Sequence, residues 1–342
     1  MATIKDIAKK AGVSISTVSH VLNKTRFVSE SLSNKVKKIA IELNYSPSAI
    51  ARSLKKNETK TIGVIFDRNT NPYFAELLSA VDKRAYENGY SIIISNFESE
   101  HKRFEFNLNT LMQKKVDGLL LFGSEINSYP LSCLEQYSKT PMVFMDIDIS
   151  VKNHLVDQIL SNSVYGAYKA TDYLIACGHK KIGCISGNMS SKVNRDRFKG
   201  YQKALEKAGL IVNKNYIFEG NFDCRSGQDC FEKFMRLPRN NRPTALFIFN
   251  DLMAMGFMNK AYSRGLTIPD DISIIGYDNI EYSEFLNPAL TTIHQPKYEL
   301  GIQSVDLLMQ RIKDPKLDTQ VFQLKPDLIK RNSVRLLDQK GR

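Results

Sequence analysis

The sequence predicts an α/β protein in three parts: an N-terminal helix-turn-helix head, a short hinge helix, and a two-lobed core of doubly wound parallel sheets. Three observations predict it. Two short apolar-periodic segments separated by a three-residue break open the chain. Formal positive charge is concentrated in the first sixty residues. From Lys60 onward, strand-like and helix-like segments alternate in two similar rounds.

In the first segment Ile4, Ile7, Ala8 and Ala11 recur at helical spacing, and Val18, Val21 and Leu22 do the same after the break. Thr3 with Asp6 reads as a capping box, Ser14 as the N-cap of the second helix, and Gly12 as the left-handed residue that ends the first. Helices joined by so tight a turn cross steeply, which lets the second enter a major groove. Charge favours that use. Residues 1–60 hold twelve Lys or Arg and four Asp or Glu, leaving +8 of the chain's formal +12 in about a sixth of its length. A merely solvated face mixes signs, whereas this one suits a phosphate backbone. Ile15, Ser16 and His20 share one face at the start of the second helix and are the candidate base-facing side chains; the alternative for His20 is a core position.

A third helix from about Ser31 to Leu43 carries the stripe Leu32, Val36, Ile39, Ala40 and Leu43, which packs the first two helices into a small core. Ser46 and Pro47 then read as the cap and first residue of a helix running to about Lys56. A helix of roughly ten residues does not hold alone in water. Either DNA and a partner subunit order it, or the stretch from Pro47 to Lys60 is a basic linker.

Beyond Lys60 the chain reads as a strand from Thr61 to Phe66, a helix from Tyr73 to Glu87, a strand from Tyr90 to Ser95, a helix from Arg103 to Lys114, and strands from Val116 to Phe122 and Met142 to Met145. A second round starts with a helix from Ser163 to Ala176, then strands from Lys181 to Ser186, Tyr216 to Glu219, Ala245 to Phe249 and Ile272 to Gly276. Two similar halves suggest two lobes facing a cleft, and strand ends at a switch point are where such sheets bind ligands.

Composition narrows the function classes. The length of 342 residues allows two or three domains, and the 42% apolar content is that of a globular protein. No apolar run is long enough to span a membrane, and the N-terminus lacks an apolar export segment, so a cytoplasmic location is expected. Cys133, Cys177, Cys184, Cys224 and Cys230 are odd in number and show no C-x-x-C pairing, which points to buried reduced thiols. The five histidines, His20, His101, His154, His179 and His294, have no metal-ligand spacing. No G-x-S-x-G, Walker-type lysine loop or strand-linked G-x-G-x-x-G occurs, and nothing places a nucleophile beside paired acids. Neither an enzyme nor a cofactor is expected.

The run from Ala2 to Asn23 closely resembles the opening of the lactose-repressor (LacI/GalR) family of bacterial transcriptional regulators, and Asn44 to Leu54 resembles that family's hinge. Within the family the ribose-operon repressor is most alike, with the purine repressor next. The resemblance implies that Thr3, Thr17, Asn23, Arg26 and Tyr45 meet phosphates, which position without specifying. It also implies a homodimer on palindromic double-stranded operator DNA. Two hinge helices would pair over the minor groove, each inserting a leucine, here Leu54 between Arg52 and Lys55, as a kinking wedge. Ile15 departs from the threonine of the ribose and purine repressors, so the preferred operator differs. For the core the resemblance implies lobes like those of periplasmic sugar-binding proteins, with lobe 1 at about 61–162 and 293–320 and lobe 2 at about 163–292 and 321–342. Crossings would fall near Asn162, near Ile293 and from Thr319 to Phe322.

In the cleft, Asn71, Tyr73 and Phe74 follow the first strand, where an aromatic pair stacks on a sugar ring or a purine or else staples a helix start. Asp146 ends another strand; Arg197, Phe222, Asn250 and Asp278 follow strands of the second lobe, and Gln295 lies at a crossing. Acids, amides and an arginine converging from strand ends suit a polyol. Asn71, Phe74, Asp146, Arg197, Asn250, Asp278 and Gln295 match the pattern of ribose-binding relatives. An expected arginine after Asp146 is Ile147, and the purine repressor's base-reading arginine and threonine align with Ser191 and Val193. The expectation is a cytoplasmic homodimeric repressor released from DNA by ribose or a related pentose. The rivals are a repressor with a purine corepressor, a global carbon regulator with a protein co-effector, and a sugar-transport component.

Overall fold

The computed structural model describes residues 2–45, 58–67, 70–98, 100–123, 132–147 and 156–337. The expected hinge helix, and with it Leu54 and Lys55, lies outside the described residues. Contacts divide the chain into Met1–Lys60 and Thr61–Arg342.

Among the described residues the head holds three helices: α1 (Ile4–Ala11), α2 (Ile15–Asn23) and α3 (Glu30–Glu42). Asp6 Oδ2 accepts from both the Thr3 N–H and its hydroxyl at 2.8 Å, fixing the first turn of α1. Gly12 ends α1 at φ 70°, a conformation that costs least without a Cβ. Ser14 Oγ then accepts from the Thr17 N–H at 3.1 Å to open α2. Ile7, Ala8, Ala11, Val18, Val21, Val36, Ile39 and Ala40 form the buried cluster that these turns bring together. A Lys10–Glu42 ion pair of 2.8 Å links the ends of α1 and α3.

Among the described residues the core holds two six-stranded sheets. The first has the order β11 (Val321–Leu324), β5 (Asp157–Ser161), β4 (Met142–Met145), β3 (Gly118–Phe122), β1 (Thr61–Phe66), β2 (Ser91–Asn96), parallel throughout. The second has the order β12 (Asp327–Ile329), β10 (Thr291–His294), β9 (Ser273–Asp278), β8 (Ala245–Ile248), β6 (Ile182–Ser186), β7 (Ile217–Glu219), and β12 alone is antiparallel. β1, β3, β4, β6, β8 and β9 are buried along most of their length, as parallel strands covered on both faces must be. The covering helices are α4 (Pro72–Glu87), α5 (His101–Gln113), α6 (Ser163–Ala176), α7 (Lys192–Lys207), α8 (Cys224–Met235), α9 (Asp251–Ser263) and α10 (Lys297–Lys313).

The first crossing is at Asn162, between β5 and α6. The second falls at 295–296 instead of near Ile293, because β10 extends the second sheet through His294. After it α10 returns to the first lobe and packs on α4, with the backbone at Gly301 so close that a Cβ there would stand 2.8 Å from Leu77 O. The third crossing corrects the expected 319–322 to 325–326. β11 pairs with β5 because Asp157, which opens β5, is gripped by Arg311 Nε and Nη2 at 2.9 and 2.8 Å and also accepts from the Gln320 N–H at 2.9 Å. The expectation of buried thiols holds for Cys177, Cys184 and Cys230; Cys224, in the first turn of α8, is exposed and Cys133 half-buried.

α8 and α9 cross where both lack a side chain. A Cβ on Gly256 would collide with the Cys224 carbonyl oxygen, and one on Gly227 with that of Met253. Alanine improves helix propensity by at most about 1 kcal/mol, whereas overpacking a fixed backbone costs about 1–3 kcal/mol. Gly256→Ala is therefore expected to lower stability by about 1 kcal/mol or more in urea denaturation.

Candidate functional site

In the head, Val18 and Val21 turn into the core, so the other side of α2 carries Ile15, Ser16 and Asn23 outward. Ile15 is 46% exposed. Ser16 Oγ and Thr17 Oγ1 both bond Ser14 Oγ, at 2.7 and 2.8 Å. His20 is half-buried outside the apolar cluster, with Nδ1 2.9 Å from Thr25 Oγ1, which orients its ring. Asn23 Nδ2 donates to Ser19 O at 2.9 Å. Thr3 is exposed at the tip of α1 and Arg26 is exposed in the basic loop after α2, while Tyr45 packs partly against the core. The result is a helix face of neutral donors and acceptors plus one apolar side chain, on a strongly basic domain. That chemistry suits base edges flanked by phosphates.

In the core a cavity of about 250 Å³ lies between the lobes at the strand ends. Lobe 1 contributes Asn71, Tyr73 and Phe74 from the start of α4. Asn71 Oδ1 caps that helix by accepting from the Tyr73 N–H at 3.0 Å. The aromatic pair thus both opens a helix and lines the cavity, with the Tyr73 and Phe74 rings edge to face at 5.2 Å. Asp146 adds a carboxylate from the end of β4. Lobe 2 contributes Arg197 from α7, Phe222 from the loop after β7 and Asp278 from the end of β9, and Gln295 stands at the second crossing.

Asn250 is the named cleft residue that does not line the cavity. It is fully buried, its Oδ1 caps α9 at the Met253 N–H (2.9 Å), and its Nδ2 donates to Phe222 O at 3.0 Å. It holds Phe222 from behind. Ile147 is buried in the lobe 1 core. Ser191 is the buried N-cap residue of α7 and lies outside the lining, whereas Val193 lies within it. Asp67, Thr70, Gly123, Met145, Asn188, Asn221 and Asp223 also line the cavity and were not singled out from sequence. Asp67 and Gly123 follow β1 and β3 directly, so the strand-end rule that selected Asp146 reaches them too.

Asp278, 4% exposed, is the most heavily serviced group in the site. Gln295 Nε2 donates to its Oδ1 at 2.7 Å, and Arg197 Nη2 lies 3.7 Å from the same oxygen. Burial pushes its carboxyl up, against the pull of Arg197, Gln295, Lys297 and Asn71. Arg197 is itself held by a bond to Phe249 O and by stacking on Tyr277, 3.8 Å from guanidinium to ring centroid. Burial also raises Asp146 to about 6, opposed first by the Ser161 N–H that donates to its Oδ1 at 2.8 Å. Three non-glycine lining residues sit at positive φ: Asp146 at 54°, Phe222 at 59° and Asp278 at 109°. Non-glycine residues are uncommon in this region. Arg197 Nε, Gln295 Oε1 and Tyr73 OH are buried and have no hydrogen-bond partner among the described residues. Polar atoms so placed suit a small polar ligand.

Comparison with known proteins places this geometry. Residues 3–48 match the model for bacterial regulatory proteins of the lacI family, and residues 59–332 match that for periplasmic binding proteins and the sugar-binding domain of the LacI family. The HTH-type transcriptional repressor PurR of Photobacterium profundum is 45% identical over 338 residues, covering 99% of this chain and 100% of that protein. PurR of Vibrio campbellii is 43% identical over 338 residues, again covering 99% and 100%. The crystal structure of the lac repressor dimer bound to operator and the anti-inducer ONPF superimposes with a TM-score of 0.86 at 28% identity, covering 98% of this chain and 99% of that one. A LacI family regulator from Enterococcus faecium with bound ribose gives 0.73 at 26% identity, covering 81% and 100%. With head and core each matched along nearly their whole length, and with full-length relatives above 40% identity, the chain belongs to the lacI family of bacterial regulatory proteins.

Proposed function

We propose that this chain is a DNA-binding transcriptional repressor whose grip on its operator is set by a small molecule held between the two core lobes. The observation that carries the reading is the presence, in one chain, of a basic three-helix head and a cavity to which both lobes bring charged and aromatic side chains. Ile15, Ser16 and His20 read base edges, and Thr3, Thr17, Asn23, Arg26 and Tyr45 hold the backbone. Leu54 and Lys55 act at the hinge, and a homodimer meets a palindromic site.

The effector is a purine base acting as corepressor. Relatives of the highest identity quoted above are PurR, which moves the expectation away from ribose. The lining supports a purine chemically: Phe74 and Phe222 offer ring faces, Asp146 and Asp278 accept from ring N–H groups, and Arg197 donates to ring acceptors. A pentose is the second reading, favoured by Val193 in the lining and Ser191 outside it, the two positions where purine repressors carry base-reading side chains. Calorimetry with hypoxanthine, guanine and ribose separates them. Saturable heat with a purine and none with ribose is expected; heat with ribose alone establishes the second reading, and no heat with any of the three overturns both.

Asp146 makes the binding pH-dependent. Raised to about 6 by burial, its carboxyl takes up a proton in the free protein progressively as the pH falls through 6, and a ligand that donates to the carboxylate must first displace that proton. Affinity is then expected to rise from pH 5 towards 7, by up to about tenfold per unit below 6. Asp146→Asn should flatten this profile in the same calorimetry. An equally steep profile in the variant would assign the titration to another group.

A further inference from the structure

Lys297, the first residue of α10, is 3% exposed. A lysine is seldom so buried unless each of its three donors is matched. Here its Nζ donates to Asp278 O at 3.0 Å and to Asn279 O at 2.6 Å, and it pairs with Glu76 Oε2 at 3.0 Å. The two carbonyls belong to lobe 2, in consecutive residues at φ 109° and 51°, and the carboxylate belongs to α4 of lobe 1. Asn279 is fixed further by Arg331, whose Nη2 donates to its Oδ1 at 2.8 Å.

We propose that Lys297 is a positioning residue that ties the cavity acid Asp278 to the opposite lobe through Glu76, so that ligand contact with Asp278 is felt by α4. This inference rests on the effector reading above. Asp278 presents its carboxylate to the cavity while its own carbonyl is gripped by Lys297, so a ligand that draws on the side chain moves the peptide and the ammonium with it. Glu76 lies on the helix whose first turn carries Asn71, Tyr73 and Phe74 into the same cavity, but it is itself outside the lining. An ammonium is suited to this role because it is compact and its donors diverge; a guanidinium has a planar fork matched to one partner. Lys297 therefore connects the ligand's two walls at the second crossing.

Glu76 is the useful position to vary, because its side chain is 43% exposed and alanine is a good helix former. In the full-length protein, Glu76→Ala is expected to bind hypoxanthine within threefold of the parent affinity by calorimetry. The ligand-induced change in affinity for promoter DNA is expected to shrink at least fivefold. A merely structural role would move neither readout or both together. Lys297→Met, which also frees the Asp278 peptide, is expected to lose at least tenfold in ligand affinity. Hydrogen exchange without ligand supplies an arm independent of the effector: amides of residues 278–280 should exchange at least threefold faster in Glu76→Ala, with β8 unchanged. Parent-like exchange there, or a full DNA response in Glu76→Ala, overturns the tether. If the parent protein takes up no ligand, the effector reading fails, and the exchange result still decides for or against the tether.

Discussion

The core is organised by the cost of burying one carboxylate between two lobes. Asp278 at 4% exposure would be protonated or unfolded from its position without compensating partners. Those partners come from several places: Arg197 on α7, Gln295 at the second crossing, Asn71 at the N-cap of α4, and the charge of Lys297, whose ammonium bonds the Asp278 main-chain carbonyl. Arg197 in turn needs the Phe249 carbonyl and the Tyr277 face. The acid thus fixes the relation of strand ends, crossing and helix start, and the cavity is the space those obligations leave. A second buried acid anchors the same region from behind: Asp251 accepts from Ser283 Oγ and Thr292 Oγ1 at 2.6 Å and from the Ile280 N–H at 3.0 Å, holding the loop that follows Asp278.

Among the described residues the chain passes between the lobes at Asn162, 295–296 and 325–326. A ligand shifts an equilibrium between two arrangements only by its preference for one over the other. In the proposed reading, contacts shared by both lobes would supply that preference, since Phe74 and Asp146 line the cavity on one side and Phe222 and Arg197 on the other. Coupling free energies between sites are typically about 1–3 kcal/mol, within what a few such contacts provide.

Much of this architecture was legible in the sequence because it is local. Thr3, Gly12 and Ser14 announce the head by capping chemistry alone, and the apolar runs at Thr61–Phe66 and Met142–Met145 announce buried strands. The strand-end rule led to Asp146 and Asp278 for the same reason. What the sequence does not carry is non-local. Asn250 follows a strand as a ligand-binding amide would, and only the fold shows that its side chain caps α9 and bonds the Phe222 carbonyl. The resemblance puts the third crossing at 319–322, which is too early; its position is set by Arg311 reaching Asp157, far away in sequence, and pairing β11 with β5. Lys297 carries no sequence signal, since a lysine at a helix start reads as solvated.

The central claim is that occupation of the inter-lobe cavity changes how tightly the head holds its operator. Fluorescence anisotropy of a labelled duplex from the chain's own promoter region, titrated with full-length protein with and without saturating hypoxanthine, tests it directly. The account predicts at least a tenfold gain in affinity with the purine and no gain on a scrambled duplex. Identical affinity for both duplexes, unchanged by any ligand that the core demonstrably binds, would contradict it.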